Sequence, residues 1–319
     1  MSSAAVKIAV VGVGLISPRH VQTVVDSPDA QIVAIVDPAP AGATLAEKHG
    51  VSHHPSVAAL VDSADRPDAA IICRPNHTHA PLARELSSAG VRVLIEKPFS
   101  TDVPGGERLI EHLGKTGVRA LVGHHRRFNP CIVATKDVID SGRLGHVVAV
   151  NGIWALQKPP PPEYFDGPGE WRRESAGGVV LINMIHEIDL LHHLLGPITR
   201  VHAEKTASRR GFPAKEGAAL TLRFRSGAVG TFILSDNMPS PHNFESGTGE
   251  NPLVPRTGQD FYRIFGTQAS LSAPDMSVWS YADAAEAWGS DMVRGTAEVE
   301  PATPFDLQLR ALLQGRRRS

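Results

Sequence analysis

The chain has 319 residues, of which 42% are hydrophobic and 20% charged, so we expect about two globular domains and exclude a disordered or fibrous chain. Lysine and arginine number 32 against 33 aspartates and glutamates, which gives a net charge of -1. This balance does not select nucleic acid or an anionic membrane as a partner. No stretch of about 18 uninterrupted apolar residues is present, so no membrane-spanning helix is expected.

Cysteine and histidine usage predicts the compartment and argues against a metal site. The two cysteines, Cys73 and Cys131, are too few for a disulfide framework, and the opening residues lack the basic and then apolar pattern of a signal peptide. We therefore expect a reducing, cytoplasmic compartment. The 15 histidines include adjacent pairs, but no CxxC or HExxH spacing accompanies them, so no metal ligands are predicted.

Short apolar runs alternate with segments of helical period over residues 1–123. The first run, VKIAVV from Val6 to Val11, ends at Gly12 and is followed by a helical pattern. Further apolar runs cover 31–36, 69–73, 91–96 and 118–123, with helical patterns over 20–27, 80–89 and 105–113. Continuously apolar strands are buried on both faces, and alternation with helices makes their sheet parallel. This half predicts an α/β Rossmann domain with a doubly wound parallel sheet.

The pattern changes over residues 124–319, which predict a second, α+β domain. A helix is expected over 130–141 and a strand over 146–156, followed by the proline-rich loop KPPPPEYFDGPGEW, which is too stiff for the interior of an element. One long helix is expected over 179–195, and the chain after Gly196-Pro197 is strand-like, with a hairpin turn at Ser226-Gly227. These strands predict a mostly antiparallel open sheet.

The turn after the first strand has the pattern of a dinucleotide-binding loop. It reads Gly12-Val13-Gly14-Leu15-Ile16-Ser17, with serine in the place of the third glycine. Glycines let the backbone approach a pyrophosphate, which then lies at the N-terminus of the following helix. We expect Gly12, Gly14, Leu15 and Ile16 to contact the cofactor, with an ordinary glycine turn as the alternative.

Asp37, at the end of the second strand, predicts the type of dinucleotide. A carboxylate at this position accepts hydrogen bonds from the adenosine ribose hydroxyls and repels a 2′-phosphate. Pro38 follows it, and no compensating arginine is expected near the carboxylate. We therefore expect NAD rather than NADP, with a helix N-cap aspartate as the alternative interpretation.

Four further segments, taken in order and spacing, are typical of one family. They are Arg74-Pro75-Asn76-His77-Thr78-His79, Ile95-Glu96-Lys97-Pro98, the run GHHRRFNP from Gly123 to Pro130, and Gly177-Gly178 followed by His186 and Asp189. With them, the chain resembles the Gfo/Idh/MocA oxidoreductases, named for glucose-fructose oxidoreductase and inositol dehydrogenase. The resemblance covers nearly the whole chain and implies a dehydrogenase that acts on CH-OH groups.

The resemblance implies catalytic roles for Lys97 and His186. Family members place this lysine beside the nicotinamide and the substrate hydroxyl, where a cation stabilises the developing alkoxide. The family's histidine takes the proton, and His186 matches it. The resemblance also places four more residues, besides Lys97, around the cofactor: Pro75, Asn76, His79 and Glu96.

The helical pattern agrees with a functional face around His186. At about 100° per residue, one side carries polar residues and the other apolar ones. The polar set is Asn183, His186, Asp189 and His193, and the apolar set is Val180, Met184, Ile188, Leu191 and Leu195. Many relatives carry an aspartate four residues before the histidine, where this chain has Ile182. We expect Asn183 to orient substrate and His186 to act alone or with Asp189.

Further substrate contacts are predicted in the cleft. The candidates are Arg126, Tyr164, Trp171 and Arg172, and a contact at a domain interface is an equally good interpretation of each. Relatives also continue past Gln308-Leu309 with a segment that returns to the first domain, so the short ending here predicts uncovered apolar surface.

The sequence thus predicts an NAD-dependent oxidoreductase that moves hydride between the nicotinamide and a secondary alcohol or ketone of a sugar, cyclitol or other cyclic polyol. One alternative is a dihydrodiol dehydrogenase for a non-sugar ring diol, and another is a non-catalytic NAD-sensing regulator. The open sheets of relatives imply a homo-oligomer, either a dimer or a tetramer.

Overall fold

The chain folds into two units, residues 1–128 with 302–319 (unit 1) and residues 129–301 (unit 2). The structure, a computed structural model, describes residues 5–175, 177–282 and 288–314. Within these residues, no helix has both the length and the apolar character that crossing a membrane requires.

A fully parallel sheet forms the centre of unit 1, which confirms the predicted Rossmann architecture. Its strands are β1 (Val6–Val11), β2 (Ala30–Val36), β3 (Ser52–His54), β4 (Ala69–Ile72), β5 (Arg92–Ile95) and β6 (Ala120–Val122). They lie in the order β3-β2-β1-β4-β5-β6. The strand order therefore reverses between β1 and β4, the position at which ligands bind in such sheets.

Helices cover both faces of this sheet because consecutive residues of its strands are apolar, so that each face of the sheet is apolar. Ile8 and Val10 lie in one core layer, while Ala9 and Val11 lie in the other. Asp102 caps one helix by accepting a hydrogen bond of 2.7 Å from the Gly105 N–H. The helices are α1 (Ser17–Val25), α2 (Pro40–His49), α3 (Val57–Val61), α4 (His79–Ser88) and α5 (Val103–Thr116).

Unit 2 contains an open and mostly antiparallel sheet, as predicted. Its order is β14-β13-β12-β11-β7-β10-β9-β8, and β7 and β10 form a parallel pair. The strands are β7 (Val147–Ala155), β8 (Ile198–Lys205), β9 (Gly217–Phe224), β10 (Val229–Ser235), β11 (Tyr262–Gly266), β12 (Ala269–Ala273), β13 (Ser277–Tyr281) and β14 (Met292–Thr296). The helices are α6 (Pro130–Asp140), α7 (Val179–Ile182), α8 (Met184–Leu195) and α9 (Phe244–Thr248).

The single helix expected over 179–195 was wrong, because the chain breaks at Asn183 into α7 and α8. The predicted apolar side was also wrong in part. Ile188 is 42% exposed, whereas Leu190 and Leu194 lie in the core. Met184 and Leu191 lie in the core as predicted and Leu195 packs against it, so Leu190 and Leu194 widen the apolar side while Ile188 falls outside it.

The last helix, α10 (Pro304–Leu313), belongs to unit 1. Leu309 and Leu312 lie in the same core layer as Ile8. The Arg92 guanidinium donates hydrogen bonds to the carbonyl oxygens of Leu312 and Leu313 at 3.1 and 3.2 Å. The predicted division at residue 123, with 124–319 as one domain, differs from these units because α10 packs on the first sheet. α10 covers one apolar layer of unit 1, and the uncovered surface expected from the short ending stays a prediction.

Candidate cofactor and catalytic sites

The turn after β1 has the close approach that a pyrophosphate site requires. Gly12 has a φ of +107°, and a Cβ on it would lie 2.7 Å from the Cys73 carbonyl oxygen. A Cβ on Gly14 would lie 3.3 Å from the same oxygen. Only glycine fits at the first position, and the turn leads directly into the N-terminus of α1.

The side chains that flank this turn differ in exposure. Leu15 is 99% exposed, and Ile16, the N-cap of α1, is half-buried. Ser17, which replaces the third glycine, is fully buried. Its small side chain therefore preserves the close packing of helix and strand that a glycine allows.

Asp37 is almost completely buried, and its carboxylate already has three partners. The Oδ1 atom accepts a hydrogen bond of 2.8 Å from the Ala39 N–H. The Oδ2 atom accepts one of 3.2 Å from the Val13 N–H and one of 2.8 Å from Arg74 Nη1. The expectation that no arginine compensates Asp37 was wrong, because the loop after β4 brings Arg74 to it.

The loop after β4 is held by His79, which is buried. Its Nδ1 atom lies 2.8 Å from the Pro98 carbonyl oxygen, and its Nε2 atom lies 2.7 Å from the Arg74 carbonyl oxygen. Both ring nitrogens are therefore engaged by the protein. Pro75 and Asn76, by contrast, are exposed, so their polar groups are accessible to a ligand at this edge.

Glu96, at the end of β5, is buried in a hydrogen-bonded cluster. Its Oε1 atom lies 2.8 Å from His20 Nε2, and its Oε2 atom accepts a hydrogen bond from the Lys97 N–H at 3.2 Å. Burial raises the pKa of Glu96, but the hydrogen bond and charge of His20, together with the charge of His125, outweigh it and hold that pKa below its usual range. Glu96 therefore acts as an anion beside Lys97.

Lys97 is half-buried, and its environment favours the neutral amine more than water does. Burial lowers its pKa, the Glu96 carboxylate opposes this effect, and the charge of Arg126 adds to it. Arg126 is buried in a short 3₁₀ helix over His125–Phe128. The structure thus places this predicted substrate residue in the electrostatic environment of the predicted catalytic lysine.

The sequence did not predict the aromatic cluster around His20, the residue that contacts Glu96. The rings of His20 and Phe305 are 5.2 Å apart edge to face, and His125 stacks on Phe305 at 4.9 Å. The position of His20, one turn into the helix that follows the glycine loop, was the one signal in the sequence that pointed to this cluster. Its ring partner, Phe305, is too distant in sequence to be predicted. Phe305 comes from α10, so the last helix supports the loop that carries Glu96.

Three residues of the predicted polar face in unit 2 are buried. Asn183, His186 and Asp189 have exposed fractions of 7%, 6% and 8%. Beside them, Glu187 is completely buried and accepts a hydrogen bond from the Tyr262 hydroxyl. Buried polar groups need hydrogen-bond partners, and apolar side chains would pack here without that need. The polar residues at the start of α8 therefore indicate a role other than packing.

The proline-rich loop brings three predicted substrate residues together. The Arg172 guanidinium lies 4.3 Å from the centre of the Tyr164 ring and 5.2 Å from that of Trp171. Lys158, which the sequence did not single out, lies 5.0 Å from the Tyr164 ring centre. Burial raises the pKa of Tyr164. This patch combines aromatic faces with cationic donors.

Among the residues that the structure describes, neither Cys73 nor the possible metal ligands form a further site. Cys73 is buried, and burial followed by the charge of Glu96 raises the pKa of its thiol, so it is not a nucleophile. Within residues 5–175, 177–282 and 288–314, no three His, Cys, Asp or Glu side chains are grouped so as to hold a metal ion.

Comparison with known families matches both halves of the chain. Residues 6–124 match the family described as "Oxidoreductase family, NAD-binding Rossmann fold". Residues 132–272 match the family described as "GFO/IDH/MocA C-terminal domain". The two matches follow the same order along the chain as the two units.

Similar proteins include named dehydrogenases. Inositol 2-dehydrogenase of Rhizobium meliloti is 31% identical over 60% of this chain and 55% of that enzyme. The NAD-dependent scyllo-inositol 2-dehydrogenase of Bacillus subtilis is 29% identical over 76% of this chain and 70% of that enzyme. Among solved structures, the WlbA dehydrogenase of Bordetella pertussis, crystallised with NADH and UDP-GlcNAcA, has a TM-score of 0.70 at 24% identity over 84% of this chain and 77% of that one.

Proposed function

Since the chain belongs to the Gfo/Idh/MocA family of oxidoreductases, we propose that it is an NAD-dependent dehydrogenase for a secondary alcohol or ketone of a sugar, cyclitol or other cyclic polyol. The observation that carries this proposal is Lys97, a half-buried lysine beside the anionic Glu96 at the carboxyl end of β5. Chemistry in such sheets takes place at this edge.

The chain's own residues fit a dinucleotide. The close approach at Gly12 and Gly14 leaves room that a Cβ would fill, and the amides at the start of α1 suit a pyrophosphate. Leu15 and Ile16 flank that turn, and Asp37 lies at the end of β2. We assign the nicotinamide half of the cofactor to the edge at which Pro75 and Asn76 are exposed. His79 and Glu96, whose polar atoms are already hydrogen-bonded, support this edge from behind. NAD is the preferred form in this proposal.

Lys97 and His186 share the acid-base work in this proposal. The bound nicotinamide supplies the hydride acceptor. Lys97 donates a hydrogen bond to the carbinol oxygen and stabilises the negative charge that develops there. His186 takes the proton from that hydroxyl, and Asn183 holds the substrate without accepting its proton. Ile182 stands where many relatives carry an aspartate, so His186 is the group left to act as the base.

The proposed substrate class follows the names of the relatives and the chemistry of unit 2. Two relatives act on inositols by name, and polyol rings present many hydroxyl groups. Tyr164, Trp171 and Arg172 offer a ring face and donors that suit such a molecule. We assign Arg126 to the same substrate because of its charge near Lys97.

A screen of NAD reduction tests the proposal. Purified protein is incubated with NAD and each of a panel of inositols, sugars and cyclic diols, while calorimetry measures NAD binding separately. We expect turnover with at least one polyol. Turnover only with non-sugar ring diols would favour the dihydrodiol dehydrogenase instead. Tight NAD binding without any turnover would favour the non-catalytic NAD sensor.

We also propose a homo-oligomer in the cytoplasm. One row of paired residues crosses the unit 2 sheet on the face opposite the core. Val229, Phe265 and Trp279 lie in this row, and they are 42%, 40% and 42% exposed. Exposed apolar surface of this kind favours association. Sedimentation velocity tests it, and a monomer at every concentration would contradict it.

A further inference from the structure

We infer that Arg74 is a second cofactor-selecting residue, which neutralises Asp37 and offers a cation to a 2′-phosphate, so that the preference for NAD over NADP is narrow. This inference rests on the proposed dinucleotide site. It does not depend on the substrate or on the catalytic residues. The sequence indicated the opposite, because the residues that follow Asp37 carry no arginine.

The hydrogen bonds of Asp37 limit how it can hold a ribose. An ionised carboxylate offers about four lone-pair sites. Val13, Ala39 and Arg74 occupy three of them, with Arg74 Nη1 2.8 Å from Oδ2. One site is left, whereas a ribose diol donates two hydrogen bonds. Arg74 must therefore move from Asp37 before both hydroxyls can bind in full.

The position of Arg74 allows such a movement. Its carbonyl oxygen is held by the ring of His79 at 2.7 Å, so its backbone is fixed. Its side chain crosses the turn at Gly12, where a Cβ would lie 2.9 Å from the Arg74 Cδ atom. The side chain is 25% exposed, against 5% for that of Asp37. The guanidinium therefore lies at the edge of the site, and only its side chain, not its backbone, is free to move.

The guanidinium has the donors that a phosphate needs. Within the described part of the chain, the hydrogen bond to Asp37 is its one polar contact. An arginine presents five N–H donors in a planar fork that matches phosphate oxygens. A lone buried Asp37 would repel a 2′-phosphate, but the Asp37–Arg74 pair has no net charge. The expected penalty against NADP is thus much reduced.

A competing interpretation makes Arg74 a structural partner that only orients Asp37. In that case, its removal would weaken NAD and NADP alike. If Arg74 selects the cofactor, its removal weakens only ligands with a 2′-phosphate. The two interpretations therefore differ in a ratio of affinities, which calorimetry measures without any turnover.

The experiment compares AMP with adenosine 2′,5′-bisphosphate, which differ only in the 2′-phosphate, and then NAD with NADP. Arg74→Met should weaken the bisphosphate and NADP by about ten- to a hundredfold, the effect of one lost charge-assisted hydrogen bond. AMP and NAD should not weaken, because they carry no 2′-phosphate and the loss of Arg74 leaves Asp37 free to accept hydrogen bonds from both ribose hydroxyls. Arg119→Met, which removes an exposed arginine directly before β6, is the matched control and should change neither ratio.

Two further variants keep the test decisive if Arg74→Met folds poorly. Arg74→Lys retains the charge and should keep part of the affinity for the 2′-phosphate. Asp37→Ser releases Arg74 and should tighten NADP binding while NAD weakens. Equal losses of affinity for AMP and the bisphosphate in Arg74→Met, or no change in either affinity, would overturn this inference but not the proposed function. If the unmodified protein bound no dinucleotide, the proposed function would fail as well.

Discussion

His20 Nε2 lies 2.8 Å from Glu96 Oε1, and both side chains are buried next to the backbone of Lys97. Without this partner, burial alone would favour a protonated Glu96. With it, the pKa of Glu96 falls below its usual range. Since Glu96 in turn raises the pKa of Lys97, a histidine on α1 helps to determine the charge of the lysine that we propose as catalytic.

We predict that His20→Ala destabilises unit 1 by about 1–3 kcal/mol, because it leaves Oε1 of the buried Glu96 carboxylate without its hydrogen bond from His20. The folded pKa of Glu96 is lowered, so its contribution to stability is complete above the unfolded pKa of about 4.3 and is lost as pH falls through the folded pKa. In the variant, this loss should begin at a higher pH. Thermal unfolding followed by circular dichroism between about pH 3 and 8 measures both effects.

Two variants control the His20 prediction. His20→Gln retains an N–H donor and should recover part of the stability. His202→Ala removes an exposed histidine of unit 2 and should have no effect. An acid unfolding curve of His20→Ala that coincides with that of the unmodified protein would contradict the role assigned to this pair.

We predict opposite effects of Lys97→Met on turnover and on stability. Turnover should fall by about 10² or more, the usual scale for a lost oxyanion partner. The free energy of unfolding should rise. Burial lowers the pKa of Lys97 in the folded protein, so below about pH 10.4 the charged lysine favours the unfolded chain, and methionine removes this cost. Scanning calorimetry and steady-state kinetics on one preparation test both parts, and unimpaired turnover would place the chemistry elsewhere.

The sequence predicted the strands of unit 1 better than the helices of unit 2. Val6–Val11 has the predicted bounds, since its apolar run ends at a glycine. The break at Asn183 has no such signal, because it lies within a long apolar segment without glycine or proline. The hydrogen bond between Glu187 and Tyr262 fixes the phase of α8 there, and this contact is not visible in a helical wheel.

Local motifs in the site were predictable, but their partners were not. Gly12 and Asp37 follow from a strand, a turn and an acid in succession. Arg74 lies 37 residues from Asp37, and His20 lies 76 residues from Glu96. These pairs form because β1 and β4 are neighbours in the sheet and because α1 packs near β5. Sequence spacing carries no information on either contact until the strand order is known.

We predict that His186 and Asn183 affect different kinetic constants. His186→Ala should lower kcat by about 10² or more, because a base is lost. Asn183→Ala should mainly raise KM, since an amide holds a hydroxyl but does not take its proton. Steady-state kinetics on the two variants measures both constants. Equal effects of the two variants on kcat would contradict these roles, and His192→Ala, at an exposed position of the same helix, serves as the control.

The last prediction concerns α10, which completes the core of unit 1. Leu309 is 4% exposed in the layer that contains Ile8, so Leu309→Ala should lower the free energy of unfolding by about 2–4 kcal/mol through lost contacts and a cavity. Arg310→Ala, at an exposed position of the same helix, should change it by less than about 0.5 kcal/mol. Urea unfolding measures both, and the NAD affinity of the folded fraction should be preserved. Equal midpoints for the two variants would show that α10 adds no stability to the unit.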